Sequence, residues 1–159
     1  MYTDVTNAEV PLDWLHSKGH LGKLFTVVDS GSIASRMWLI KLGASARPSH
    51  LMLFCLAAAA PTIQLYEGPT TSADGTPLTV LPVNRSLALP TPTGLTFFHT
   101  PTKSVNGTLL DSTGQVANVP CRIPSLAAEW VLNPSTNYLL LETHAGTVQT
   151  TIAAVLYEG

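Results

Sequence analysis

Residue types that could carry chemistry are present in this chain, but not at the spacings that chemistry needs. His16 and His20 stand four apart, as two ligands on one helix turn would, yet Gly19 lies between them and no Glu follows His16. The metalloprotease pattern is therefore not met. His50, His99 and His144 fall singly in strand-like runs, where a hydrogen-bonded structural histidine is expected. In Gly19-His20-Leu21-Gly22-Lys23-Leu24 the glycines are too close together for a phosphate loop, and no Ser or Thr follows the lysine. Gly31-Ser32-Ile33 lacks the second glycine of a nucleophile elbow. Glu67, Glu142 and Glu158 could supply the paired carboxylates of a glycosidase, but their expected places near strand ends make them edge or turn charges. Cys55 and Cys121 form neither a metal cluster nor a disulfide framework; Cys55 is expected as a small core hydrophobe and Cys121 as a loop thiol. No catalytic residue, cofactor or metal is predicted.

The elements that would position these residues are strands. Residues 24–28, 33–42, 51–56, 62–67, 76–81, 95–100, 105–110, 116–119, 128–132, 138–143 and 147–157 are rich in β-branched, aromatic and alternating apolar residues. Asp29-Ser30-Gly31-Ser32 reads as a turn between the first two. In the second run Trp38, Ile40 and Leu42 share one face and Met37, Leu39 and Lys41 the other, the pattern of a strand covered on both sides. Asn106-Gly107 is a hairpin dipeptide, and Asn84-Arg85-Ser86 reads as a turn although it matches a glycosylation acceptor. The proline-rich residues 87–92 suit an extended edge or surface loop, and residues 122–129 either one helical turn or a loop. Trp130 is expected in the core. Helical periodicity is nearly absent, and the 12 prolines and 11 glycines punctuate short runs. The reading is all-β: an antiparallel β-sandwich, jelly-roll-like, over residues 24–159, preceded by an N-terminal extended arm over residues 1–23.

Composition narrows function by exclusion. A chain of 159 residues can bury roughly 70% of its unfolded surface in a single domain. Only 11% of the residues are charged, against about 25% in an ordinary soluble domain, which leaves a neutral Thr/Ser/Ala-rich exterior suited to burial against other protein copies. The net charge of −2, with Arg85, Lys103 and Arg122 alone as basic residues beyond position 50, provides no stripe for a phosphate backbone, so nucleic acid is not expected as a partner. The remaining basic residues, Arg36 among them, read as solvated or interface charges. The apolar run 51–60 is half the ~20 residues a membrane helix requires, and the first residues do not form a signal peptide; neither membrane insertion nor secretion by that route is expected.

Several fragments line up, in order, with a family. They are His20-Leu21-Gly22-Lys23-Leu24-Phe25, Leu65-Tyr66-Glu67-Gly68 with Gly75-Thr76-Pro77-Leu78, and Asn84-Arg85. Phe98-His99-Thr100-Pro101-Thr102 with Gly107-Thr108-Leu109-Leu110, Glu129-Trp130-Val131-Leu132-Asn133-Pro134 with Tyr138, and Leu156-Tyr157-Glu158 complete the set. In these the chain resembles tailed-bacteriophage virion structural proteins of the head decoration or cement type. The resemblance implies a non-enzymatic protein on the outer surface of the virion head, assembled in the host cytoplasm. Its partners would be the major capsid protein, whose subunits it bridges, and its own copies in a dimer or trimer. On that reading the arm orders against the capsid with Leu12, Trp14 and Leu15 as anchors. The alternative is a receptor- or carbohydrate-binding β-sandwich module of a tail fibre or baseplate, which exposed Trp130 or Tyr138 beside Asp or Asn would favour.

Overall fold

A computed structural model describes residues 21, 23–44, 46–86, 92, 94–123 and 129–158. Among them there are twelve strands and no helix. The strands are β1 (Leu24–Leu42), β2 (Ser49–Ala57), β3 (Thr62–Glu67), β4 (Thr70–Ala73), β5 (Thr76–Leu78) and β6 (Leu81–Pro82). They continue as β7 (Leu95–His99), β8 (Thr102–Val105), β9 (Thr108–Gly114), β10 (Cys121–Ile123), β11 (Trp130–Leu132) and β12 (Asn137–Glu158). Every pairing is antiparallel, in one ten-stranded sheet and one two-stranded sheet of β4 and β8. The all-β antiparallel expectation is met.

Two long strands organise the molecule. β1 and β12 pair along nearly their whole lengths, from Leu24↔Tyr157 to Lys41↔Asn137. The ladder is interrupted once: Ile33 pairs with Val148 and Ser35 with Thr143, so four residues of β12 stand opposite Ala34 alone. An excess of residues on one strand bends it and sharpens its twist. Here the bend is a fold-over. Thr150 donates to Glu142 Oε2 at 3.1 Å, although a straight strand would hold residues eight apart at about 26 Å. β1 folds at the same place, because the Trp38 indole N–H donates to Asp29 Oδ2 at 3.1 Å from nine residues away.

One half of the folded sheet thus contains β2, β6, β10 and β11 beside the outer stretches of β1 and β12, and the other contains β3, β5, β7 and β9 beside their inner stretches. Their inner faces share one core, with Phe25, Val27, Leu51, Leu53, Ile152 and Leu156 from the first half and Trp38, Ile40, Ile63, Leu65, Phe97 and Leu140 from the second. Trp38 and Phe97 meet edge to face with centroids 5.9 Å apart, the arrangement favoured by their ring quadrupoles. The irregularity also switches the inward parity of β1, from odd residues at Phe25 and Val27 to even ones at Trp38 and Ile40. Trp38, Leu39 and Ile40 are all fully buried, as the two-sided apolar pattern required.

Several local expectations are corrected. Residues 29–32 continue β1 instead of turning, because each pairs with β12 from Ile152 to Gln149. Residues 116–119 form a turn, not a strand, closed by the Val119 amide donating to the Val116 carbonyl at 3.3 Å. Asn106-Gly107 does not close a hairpin: β8 pairs with β4 and β9 with β3, so the dipeptide carries the chain from one sheet to the other. The Asn84 turn is as expected, its Oδ1 accepting from the Ser86 amide at 3.0 Å. Residues 87–91 and 124–128 lie outside the described residues, as does the expected arm apart from Leu21 and Lys23.

Candidate functional site

The fold-over gathers polar side chains inside the sheet. Glu142 of β12 is fully buried, and Arg36 of β1, its Cα partner across the ladder, is 5% exposed. Glu142 Oε2 accepts from Thr150 and lies 4.0 Å from Arg36 Nε, while its Oε1 accepts from the Cys55 thiol at 3.7 Å. Arg36 also donates to the Asp29 carbonyl at 2.6 Å and stands 3.4 Å from the Asp29 carboxylate. Each charged group thus has an opposite charge and hydrogen-bond donors or acceptors around it, the condition for keeping ions inside a protein. His144, at the start of the four-residue excess, donates from Nδ1 to the Gly146 carbonyl at 2.9 Å and leaves Nε2 buried, 4.0 Å from Glu142 Oε1. Among the described residues no three His, Cys, Asp or Glu side chains are disposed to hold a metal ion.

The same cluster places the two cysteines together. Cys121 is not in a loop: it lies on β10 directly opposite Cys55 of β2, and both are buried and free. The hydrogen bond to Cys121, burial and the nearby Glu142 carboxylate push the Cys55 thiol far above the ordinary thiol range. The same bond, seen from its acceptor, holds Cys121 below that range.

A second polar group lies towards the ends of β2 and β12. His50 Nδ1 meets Glu129 Oε1 at 2.7 Å, the Tyr157 hydroxyl donates to Glu129 Oε2, and the His50 and Tyr157 rings stack 4.3 Å apart. Burial first, and the adjacent carboxylate second, raise the Tyr157 hydroxyl well above the ordinary tyrosine range. Tyr138 is similar. Its hydroxyl donates to Glu67 Oε1 at 3.0 Å and accepts from the Asn133 amide at 2.9 Å, and burial raises its pKa. These groups tie strand ends together, with every hydroxyl committed to a neighbour.

The broadest feature open to a partner is apolar. On the outer face of the first half, Val28 of β1, Ala153 of β12 and Phe54 of β2 are successive cross-strand partners and share one side of the sheet. Thr26, Val155 and Met52 form the row on one side of them, and Ser30, Thr151 and Leu56 the row on the other. Val28 is 57% exposed, Phe54 40% and Leu56 45%. Arg122 is the charged residue bordering this patch, as the β10 partner of Phe54. The corresponding outer face of the second half is covered at its centre, where Leu39 and Leu139 are fully buried and Lys41 lies over the Phe98 ring while paired with Asp74, but Leu109 at its β9 edge is 49% exposed.

Of the residues singled out in the sequence, Leu12, Trp14, Leu15, His16 and His20 lie outside the described residues. Ser32 sits within β1 and donates to Gln149, with no elbow around it. Glu142 and Glu158 are buried rather than edge charges, and Arg36 is a core residue rather than a solvated one. Trp130 is half-buried against the core, and Tyr138 is 2% exposed. Arg36 had a signal in the sequence: it shares parity with Trp38, Ile40 and Leu42.

No family model matches this chain, and no curated protein matches it in sequence. Among solved structures it is similar to a mitogen derived from Yersinia pseudotuberculosis, at 6% identity over 84% of this chain and 86% of the other, with a TM-score of 0.33. A structure described as a KBV activated particle at acidic pH is similar at 11% identity, over 88% of this chain and 49% of the other, with a TM-score of 0.21.

Proposed function

We propose that this chain works by adhesion, as a non-enzymatic virion subunit that decorates the capsid and cements it by bridging major capsid protein subunits. The observation that carries the reading is the asymmetry of the folded sheet. One outer face is covered over its central strands, whereas the other presents Val28, Phe54 and Leu56 in adjoining rows, with Arg122 as a charged neighbour of Phe54. Water-exposed apolar rows on an otherwise well-packed sheet are favourable only when something covers them, and many such contacts repeated over a shell add up without any catalytic group. The buried ion cluster supports the same reading, because its carboxylate and guanidinium are shut away from any substrate. The receptor-binding alternative has less support, as Tyr138 is spent on Glu67 and Asn133 and Trp130 packs against the core.

The test is particle location and particle strength. Heads assembled without this chain should rupture at lower temperature than complete heads, and adding purified chain back should restore them. Restoration should fail with the Phe54→Asp, Leu56→Asp double variant. Purified chain found only at a tail tip, or heads of equal strength with and without it, would refute the proposal.

A further inference from the structure

Cys55 and Cys121 are Cα partners in the β2–β10 ladder and both side chains belong to the core. Directly opposed residues in an antiparallel pair stand about 4.5 or 5.5 Å apart at Cα, inside the range of about 4.4–6.8 Å that a disulfide accepts. The Cys55 S–H donates to Glu142 Oε1 at 3.7 Å, and Cys121 stands directly across the ladder from it.

We propose that Cys55 and Cys121 form a reversible intrachain disulfide by exchange with a small-molecule disulfide, a covalent clamp that locks the edge strand β10 to β2. β10 is three residues long and terminates the sheet, so its fraying exposes Cys121 first. That exposure makes Cys121 the attacking group, while Cys55 on the inner strand β2 stays hydrogen-bonded to Glu142. The Cys121 sulfur bonds to one sulfur of the small molecule, whose S–S bond breaks, and the first thiolate to leave takes up the Cys121 proton. Cys55 then attacks the Cys121 sulfur of the mixed disulfide, and its proton passes to the second thiolate as that departs. Two protein thiols are oxidised by two electrons, and the small disulfide is reduced to two thiols. The clamp would close a loop of about 65 residues between its ends.

The full chain, purified reduced, is equilibrated with oxidised and reduced glutathione, denatured and treated with a maleimide, and its thiols are counted by mass. The expected result is loss of both thiols together with no covalent link between chains, and a Cys55–Cys121 linked peptide after proteolysis. Its melting temperature should rise by about 10 °C and return on adding dithiothreitol. Cys121→Ser should show no such rise. Two thiols still free in the native chain under buffers that oxidise the urea-unfolded chain, or links formed only between chains, would overturn the proposal. The wild-type thiol count and linked peptide decide it even if the serine variant does not fold.

Discussion

Arg36 and Glu142 stand directly opposite each other across the β1–β12 ladder, a cation and an anion at 5% and 0% exposure on the inner side of a sheet. Their side chains meet where the ladder skips from Ile33 to Ser35, so this pair sits at the crease about which the two halves of the sheet fold. The strands to either side are apolar; the crease itself is ionic.

Removing one member of that pair should cost far more than removing both. Arg36→Met leaves the Glu142 and Asp29 carboxylates facing each other without the guanidinium between them, and is expected to lower stability by about 3–5 kcal/mol in urea denaturation. The Arg36→Met, Glu142→Leu double variant should recover part of the loss, because the unmatched carboxylate that remains, Asp29, is partly exposed whereas Glu142 is fully buried. A double variant as unstable as the sum of the singles would show that the two residues act independently.

Alkali should unfold the protein through its tyrosines. Tyr138 and Tyr157 both have hydroxyl pKa values raised above the ordinary value of 10.0, first by burial. Above that value the unfolded chain loses these protons while the folded chain keeps them. The contribution to stability is therefore full below about pH 10 and falls as pH rises further, by up to about 1.4 kcal/mol per pH unit for each tyrosine. Tyr157→Phe should flatten that decline in a series of urea midpoints measured between pH 9 and 11. An unchanged slope would mean that Tyr157 ionises as freely folded as unfolded.

How much of this could be read in advance follows from which interactions are local. Trp38, Ile40 and Leu42 announce their common face through period-two alternation, which depends only on strand geometry. Asp29-Ser30-Gly31-Ser32 has turn composition, but its residues are held extended by Ile152, Thr151, Thr150 and Gln149, more than a hundred positions away. The same distance hid the candidate sites. Cys55 and Cys121 become neighbours only through β2–β10 pairing, and the apolar patch is a row only when β1, β12 and β2 lie side by side. Arg36 was misread because charge suggests solvent, whereas its parity with Trp38 was the better guide.

Two glycines with positive φ should respond differently to alanine. Gly107 has φ +94, and an added Cβ would lie 2.2 Å from the Glu67 carbonyl oxygen, a backbone atom of the paired strand β3 that cannot move aside alone. Gly146, in the four-residue excess of β12, has φ +74 but nothing within 4 Å of such a Cβ. Gly146→Ala should therefore cost about 1–2 kcal/mol, from backbone conformation alone, and Gly107→Ala distinctly more. Equal losses in thermal denaturation would show that the close approach at Gly107 is relieved without effort.

The exposed apolar rows should separate association from folding. Phe54 and Val28 flank Ala153 on the outer face and contribute nothing to the inner core, so Phe54→Asp and Val28→Asp should change stability by less than about 1 kcal/mol. Their effect should appear in self-association instead. Burying an unpaired carboxylate in a protein contact costs several kcal/mol, enough to weaken an interface by a factor of a hundred or more. Val116→Asp, at a still more exposed residue of the turn that follows β9, supplies the control, since it adds the same charge away from the rows. Sedimentation equilibrium of the three variants is expected to show dissociation for Phe54→Asp and Val28→Asp and wild-type assembly for Val116→Asp. If all three behave like the wild type, these rows are not a self-association surface.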